Sequence, residues 1–278
     1  MRNYSYKKIL PNLLLIIRNK FRRVVHADHY LLCPHNLRHD DVYIVEFPKS
    51  GVTWLSTLIA NVNLLKSEQD ESVTFYNLSQ YIPDIHTTKD LAQTPLWESP
   101  KYRFIKSHDN YNKNYGFVIY LIRNPLRVMN SYYEFMQVHG SFHGTFEEFV
   151  KSPSYGIKAW NDHVNSWIKE LDPQQKIHLI KYEDLMEKPK ETLRNIYDNI
   201  GLCISDEILL ESIKRSSLER MRNSESVYST YNPFRDIAFV GKGAETYSKN
   251  MNDDIKEYIV SNSKIYFNDL KNIKCRNI

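Results

Sequence analysis

The segment FPKSGVTW combines residue types that suit the binding of an anion. It leaves an apolar run, turns tightly at Pro48 and Gly51, and enters a helical pattern near Thr53. Backbone N–H groups at such a turn point outward, and the helix dipole adds partial positive charge beside Lys49. The segment therefore predicts a site for a phosphate or sulfate group.

Two features refine that prediction. The hydroxyls of Ser50 and Thr53 can supply further hydrogen-bond donors. A Walker A loop places its lysine after the second glycine, whereas Lys49 precedes Gly51, and this order disfavours an ordinary NTPase. On this segment alone, a plain strand-to-helix turn with a surface lysine is an equally good interpretation.

A second polar pair lies further along the chain. Arg123 follows the apolar run 117–122, and Ser131 lies about two turns into the helical pattern that comes next. A guanidinium fork and a hydroxyl at this spacing can bind a doubly charged phosphate. The alternative is a capping or ion-paired arginine with a solvent-facing serine.

A third polar cluster ends the apolar run that begins at Tyr102. Lys106 and His108 stand at its carboxyl end, where the histidine can serve as a general base because its unperturbed pKa is near 6.5. A lone histidine is more often a packed or exposed bystander, so the position of His108 beside Lys106 matters to this interpretation.

The elements that position these residues alternate between strands and helices. Apolar runs predict strands at Val42–Phe47, Tyr102–Lys106, Phe117–Ile122 and Lys176–Lys181. Helical patterns cover Thr53–Leu65, Pro125–Val138, Ile157–Leu171 and Pro189–Ile200, with others after Ser205 and near Asn252–Ser263. This alternation predicts an α/β fold of three layers, with a central parallel sheet and a P-loop-like strand, loop and helix. Ligands of such sheets bind at the carboxyl ends of the strands.

Length and composition fit one globular domain. The 278 residues carry a net charge of +4, with 42% hydrophobic and 25% charged residues, which argues against disorder and against a nucleic-acid partner. We expect a single domain over 41–278, preceded by a helical extension over 1–40 that packs on it. The oligomeric state stays open.

The location of the protein is also constrained. The three cysteines are too far apart for a metal motif and odd in number, which favours a reducing, cytoplasmic compartment. The apolar run 13–17 is too short to span a bilayer, and its basic flank leaves peripheral membrane contact as a minor alternative to a packed helix.

Taken together, the motifs resemble those of the sulfotransferases that use 3′-phosphoadenosine-5′-phosphosulfate (PAPS) and release adenosine 3′,5′-bisphosphate (PAP). The string FPKSGVTWL is similar to the family's YPKSGTTW loop, and RNPLRVMNSYY to its RNPxxxxxSYY segment. The resemblance extends from Asp41 to about Gly243. The family that the chain resembles includes cytosolic-type enzymes and bacterial small-molecule sulfotransferases.

The resemblance implies roles for individual residues. The ligands of the 5′-phosphosulfate would be Lys49, Ser50, Gly51, Val52, Thr53 and Trp54. Val52 replaces a threonine, so only its backbone N–H survives as a donor. Arg123 and Ser131 match the ligands of the 3′-phosphate. Contacts to the adenine would come from Trp54, from Tyr182 in KYEDL and from Ser216 in SSLERM.

Two segments depart from the family pattern. Leu218 replaces a phenylalanine, which implies weaker stacking on the purine. In FVGKG, Gly241 replaces an arginine, so the loop that closes over the 3′-phosphate would rely on Lys242 and on backbone donors at Gly243.

The resemblance also implies a reaction. His108 would remove a proton from a hydroxyl or amine of a small-molecule acceptor, while Lys49 and Lys106 neutralise charge around the transferred sulfuryl group. No metal-ligand pattern stands out, so we predict catalysis without metal. The acceptor stays open, although connecting segments carry aromatic candidates for its pocket: Phe75, Tyr76, Tyr81, Trp97, Phe142 and Tyr231.

Two other functions remain as alternatives. A small-molecule kinase could use the same anion-binding geometry, but it would need Mg²⁺ ligands beside the loop. A non-catalytic nucleotide-binding module would have no need for a base at position 108.

Overall fold

Four parallel strands form the sheet of this computed structural model, which describes residues 36–69, 71–74, 77–88, 90–92, 94, 102–168, 175–231 and 251–269. The strands are β1 (Val42–Glu46), β2 (Phe104–Ser107), β3 (Phe117–Ile122) and β4 (Lys176–Lys181). Their order is β2-β1-β3-β4, and every neighbouring pair is parallel. The predicted parallel sheet is confirmed.

Helices connect and cover the strands. In chain order they are α1 (Val52–Lys66), α2 (Leu78–Tyr81), α3 (Pro125–Val138), α4 (Phe146–Lys151), α5 (Ile157–Ile168), α6 (Tyr182–Glu187), α7 (Pro189–Asn199), α8 (Asp206–Arg215), α9 (Leu218–Tyr231) and α10 (Asp253–Ser261). A short π-helical segment follows at Ile265–Asp269. The start of α3 matches the prediction because the Asn124 side chain accepts the N–H of Leu126 and Pro125 occupies the first helical position.

Alternating side chains of β1 divide the core into two layers. Val42 and Ile44 pack with residues of α1, α7 and α8 on one face of the sheet. Tyr43 and Val45 pack with residues of α3, α4, α5 and α10 on the other face. Because successive side chains of a strand point to opposite faces, this arrangement makes β1 the centre of a three-layer α/β/α fold.

The strand order creates a crevice at one end of the sheet. From β1 the chain passes to β2 on one side and then to β3 on the other side of β1. The connection from β1 leads to β2 on one side, and the connection from β3 leads to β4 on the other side. This divergence opens a gap at the carboxyl ends of β1 and β3, which is where open α/β sheets bind ligands.

The four-residue helix α2 was not predicted, and neither were three later helices. The start of α4 carries a capping box in which Thr145 and Glu148 satisfy each other's backbone N–H groups. The residues of α6 begin directly after β4, where the sequence had indicated a strand end. The third, α9, begins at Leu218.

The predicted N-terminal extension lies almost entirely outside the described residues, since the description begins at residue 36. The prediction that it packs as a helix therefore stays a prediction. Among the described ranges, no helix combines the length and apolar character needed to cross a membrane.

A buried ion pair joins the start of β1 to β2. The Arg103 guanidinium donates to both carboxylate oxygens of Asp41, at 2.8 and 2.7 Å, and to the carbonyl oxygens of Asn36 and Leu91. Arg103 is 3% exposed and Asp41 is fully buried. Every oxygen and nitrogen of this pair is therefore held away from water, and removing one partner would leave a buried charge unpaired.

We predict that Asp41→Asn lowers the free energy of unfolding by about 3 to 5 kcal/mol, because Arg103 would stay buried without its anion. Asp40→Asn is the matched control: Asp40 pairs with Arg38 at a half-exposed position and should cost less than about 1 kcal/mol. Urea unfolding of the two variants measures both values. Equal losses would contradict the structural role of the buried pair.

Candidate active site

The loop between β1 and α1 contains two residues with left-handed backbone conformations. Lys49 has a φ of 74° and Gly51 a φ of 115°. The loop closes with Ser50 N–H donating to the carbonyl of Phe47 and Trp54 N–H donating to that of Gly51. A turn of this kind directs backbone N–H groups into a concave surface that suits an anion. A non-glycine residue held at positive φ is strained, and such strain clusters at functional sites.

Two of the predicted donors of this loop have partners inside the protein. The Ser50 hydroxyl is buried and donates to the carbonyl of Phe47 at 2.8 Å, so it does not point outward as the sequence had indicated. The backbone N–H of Val52 donates to Oε2 of Glu46 at 2.7 Å. That N–H therefore has a partner within the protein, and its assignment to the phosphosulfate stays a prediction.

An arginine and two aromatic rings surround the loop. The Arg123 guanidinium lies over the ring of Tyr182, with Cζ 4.4 Å from the ring centroid, and donates to the carbonyl of Lys49 at 3.0 Å. The Trp54 ring meets Tyr182 edge to face at 5.9 Å. The structure therefore brings together residues that the sequence had assigned to the phosphosulfate, the 3′-phosphate and the adenine.

Ser216 is fully buried behind Trp54. Its hydroxyl accepts from Nδ2 of Asn61 at 3.0 Å, and its carbonyl accepts the indole N–H of Trp54 at 3.0 Å. In this structure Ser216 thus orients the indole, and it has no surface to offer to a purine directly. The contribution of Asn61 was not visible in the sequence, where it lies within an apolar helical pattern.

The other residues assigned to the donor lie along the same edge. Lys49 places its Nζ 4.6 Å from the centroid of the Phe135 ring on α3, a cation–π contact that the sequence had not suggested. Thr53 is the second residue of α1, and Ser131 lies midway along α3; both are partly exposed.

His108 follows β2 and contacts the end of β1. Its Nδ1 lies 3.1 Å from the carbonyl oxygen of Glu46. Because a carbonyl oxygen can only accept, this hydrogen bond requires the proton on Nδ1 and leaves the lone pair on Nε2. The backbone N–H of His108 donates to Nε2 of His86 at 3.1 Å. The orientation and the tautomer of the ring are therefore both fixed.

Lys106 is paired with a carboxylate that the sequence analysis did not single out. Its Nζ lies 3.0 Å from Oδ2 of Asp84. The segment that carries Asp84 joins β2 through two backbone hydrogen bonds, from Lys106 N–H to the carbonyl of Pro83 and from Ile85 N–H to the carbonyl of Lys106. His86 in turn lies 3.6 Å from Asp109.

Burial and neighbouring charge set the protonation of these groups. Burial lowers the pKa of His108, the charge of Lys106 lowers it further, and the Asp84 carboxylate opposes both. For Asp84, burial raises the pKa, but the Lys106 ammonium and the backbone N–H of His86 outweigh it, so the pKa falls below its ordinary value. His108 is therefore neutral at neutral pH, and Asp84 is ionised.

Of the aromatic residues named as acceptor candidates, the two whose side chains are described are packed. Tyr81 is buried in the core and donates to Glu71, and Phe142 packs against other aromatic residues of α3 and α4. The remaining four side chains lie outside the described residues: Phe75, Tyr76, Trp97 and Tyr231. So do Gly241, Lys242 and Gly243, and their assignment to the 3′-phosphate stays a prediction.

Comparison with known proteins gives the class of the chain. A family profile described as a sulfotransferase domain matches residues 39–271. Sulfotransferase 1 family member D1 of mouse is 32% identical over 213 residues, covering 69% of this chain and 70% of the relative. Sulfotransferase 2A1 of human is 27% identical over 241 residues, covering 80% and 79%.

Solved structures show the same fold. Retinol dehydratase in complex with retinol and PAP has a TM-score of 0.65 at 19% identity, covering 89% of this chain and 86% of the other. A mouse sulfotransferase complexed with PAP has a TM-score of 0.61 at 22% identity, covering 85% and 88%. The chain belongs to the sulfotransferase domain family, a class of enzymes that use PAPS.

Gly51 lets the loop approach the ring of Tyr182 more closely than a residue with a Cβ would permit. A Cβ at this position would lie 2.4 Å from Cδ2 of Tyr182. We predict that Gly51→Ala lowers the free energy of unfolding by about 1 to 3 kcal/mol more than Gly140→Ala, because overpacking adds to the backbone strain. Gly140 also has positive φ, at 61°, but a Cβ there meets nothing within 4 Å.

Urea unfolding of both variants measures the difference, and the double variant Gly51→Ala with Tyr182→Ala isolates the clash in a double-mutant cycle. Removing the ring should recover the excess loss. If the double variant is no better than additive, the contact with Tyr182 does not constrain the loop.

Proposed function

We propose that this protein transfers the sulfuryl group of PAPS to a hydroxyl or amine of a small-molecule acceptor, with His108 as the general base. The observation that carries the proposal is the hydrogen bond between Nδ1 of His108 and the carbonyl of Glu46, the residue from which the anion-binding loop departs. It leaves the basic lone pair on Nε2 at the carboxyl edge of the sheet, next to that loop.

The donor fits the cations along this edge. Arg123 and Ser131 would bind the 3′-phosphate, and the loop around Lys49 would bind the phosphosulfate. Trp54 and Tyr182 would hold the adenine between the loop and α6, with the indole oriented by Ser216. Charge-assisted hydrogen bonds from a guanidinium are well suited to a phosphate that carries two charges.

The reaction is an in-line displacement at sulfur. Nε2 of His108 takes the acceptor proton as the acceptor oxygen or nitrogen bonds to sulfur, and the bond from sulfur to the bridging oxygen breaks with its electron pair left on PAP. Lys49 neutralises the charge that develops on the leaving oxygen, and Lys106 faces the sulfuryl oxygens. The low pKa of His108 keeps the base form present, and the negative donor would raise its basicity when bound.

Asp84 and His86 would support this chemistry indirectly. Asp84 holds the ammonium of Lys106, and His86 accepts the backbone N–H of His108. The proposed reaction uses no metal ion, so we expect turnover to continue in the presence of EDTA. Loss of activity in EDTA with recovery in Mg²⁺ would contradict this part of the proposal.

The donor site is tested by calorimetry with PAP and AMP. We expect micromolar binding of PAP and at least about tenfold weaker binding of AMP, or about 1.4 kcal/mol, because AMP lacks the 3′-phosphate. Arg123→Ala should lower PAP affinity by roughly 10- to 100-fold and reduce this discrimination. Arg194→Ala removes an arginine that pairs with Asp206 elsewhere and should change nothing. Equal binding of PAP and AMP would overturn the donor assignment.

The base is tested by His108→Ala in a sulfation assay with PAPS and a panel of phenols, alcohols and amines. Turnover should fall by about 10²- to 10⁴-fold, as expected for the loss of a general base, while PAP affinity stays within a few-fold of wild type. His143→Ala, at an exposed position beyond α3, is the matched control. Unchanged turnover of the His108 variant would refute its catalytic role.

A further inference from the structure

Glu46, the last residue of β1, points its carboxylate into the base of the anion-binding loop. It is 2% exposed, and its Oε2 accepts the backbone N–H of Val52, the first residue of α1. The N–H groups of the first helical turn have no partner within the helix, and they are the donors that an anionic ligand would use. The carboxyl group of Glu46 therefore occupies one of the donors of the loop.

The surroundings of Glu46 are those of an anion site. Three cations from three elements act on its charge: Lys106 on β2, Lys49 in the loop and Arg123 after β3. The other titratable groups around it are Tyr120 on β3, Tyr182 on α6 and His108, whose ring contacts the Glu46 carbonyl. This role is not visible in the sequence, because Glu46 lies at the end of an apolar strand.

Burial outweighs these cations and raises the pKa of Glu46 to about 7. Protonation of Glu46 therefore requires little free energy near neutral pH. A second anion placed among the same donors would raise the pKa further, because like charges in a site of low dielectric constant disfavour each other.

We propose that Glu46 occupies the anion position of the free enzyme and takes up a proton when the donor nucleotide binds. This inference rests on the proposed function, since it requires the nucleotide to bind at this loop. In the bound state a neutral carboxyl would relieve the repulsion and keep the loop cations available to the ligand.

The proposal makes nucleotide affinity depend on pH in a defined direction. Above pH 7 the free enzyme holds Glu46 ionised, so binding must draw a proton from solution and affinity falls by up to about tenfold per pH unit. The phosphates of PAP titrate near pH 6 and are fully ionised at pH 8. Burial lowers the pKa of His108 and raises those of Tyr120 and Tyr182, which keeps these three groups neutral in this range.

The experiment is calorimetry of PAP binding at pH 8 in two buffers of different ionisation enthalpy, such as Tris and HEPES. The difference in observed heat gives the number of protons taken up. Wild type should take up about 0.5 to 1 proton. Glu46→Gln should take up close to none, and its affinity should change less than about threefold between pH 7 and pH 9.

Glu183→Gln is the matched control. Glu183 is a partly buried carboxylate at the same edge, but it accepts the N–H of Asn124 instead of a loop donor. This variant should take up as many protons as wild type. The wild-type measurement requires no substitution, so binding of PAP without proton uptake overturns the inference even if Glu46→Gln fails to fold.

The outcomes separate the two proposals. PAP binding by wild type without proton uptake, or equal uptake by wild type and Glu46→Gln, would show that Glu46 is a permanent cap of α1 and overturn the inference while the donor site stands. Failure of wild type to bind PAP would overturn the donor site, and the inference with it.

Discussion

The contact between Gly51 and the ring of Tyr182 is the constraint on which the rest of the site depends. Only a residue without a Cβ can let the loop approach the ring this closely. The same ring carries the Arg123 guanidinium on its face, and Arg123 in turn donates to the carbonyl of Lys49. One aromatic side chain thus connects the loop, the end of β3 and α6.

Glu46 contacts both the loop that follows β1 and the ring of His108. Its carboxylate caps the loop that would bind the donor, and its carbonyl fixes the tautomer of His108. Both functions follow from its place at the end of β1, the central strand, where backbone and side chain face different parts of the crevice. A change in the charge of this residue would therefore affect His108 as well as the loop.

The sequence predicted the elements whose signals are local. β3 and α3 were predicted to the residue, because a continuous apolar run ends where Asn124 and Pro125 begin a helix. The capping box of Thr145 would have revealed α4 to a closer examination of that segment. The role of Asp84 depends on contacts between distant segments, and a periodic pattern in the sequence cannot predict such contacts. The need for glycine at position 51 depends on Tyr182, which lies 131 positions away.

The hydrogen bond from the Trp54 indole to the Ser216 carbonyl spans 162 residues of chain. At a synthesis rate of about 5 to 20 residues per second, roughly 8 to 32 seconds separate the appearance of the two partners on the ribosome. The loop is thus made early, while its indole is oriented only after all four strands have been synthesised. The nascent chain would acquire the sheet first and the oriented indole last.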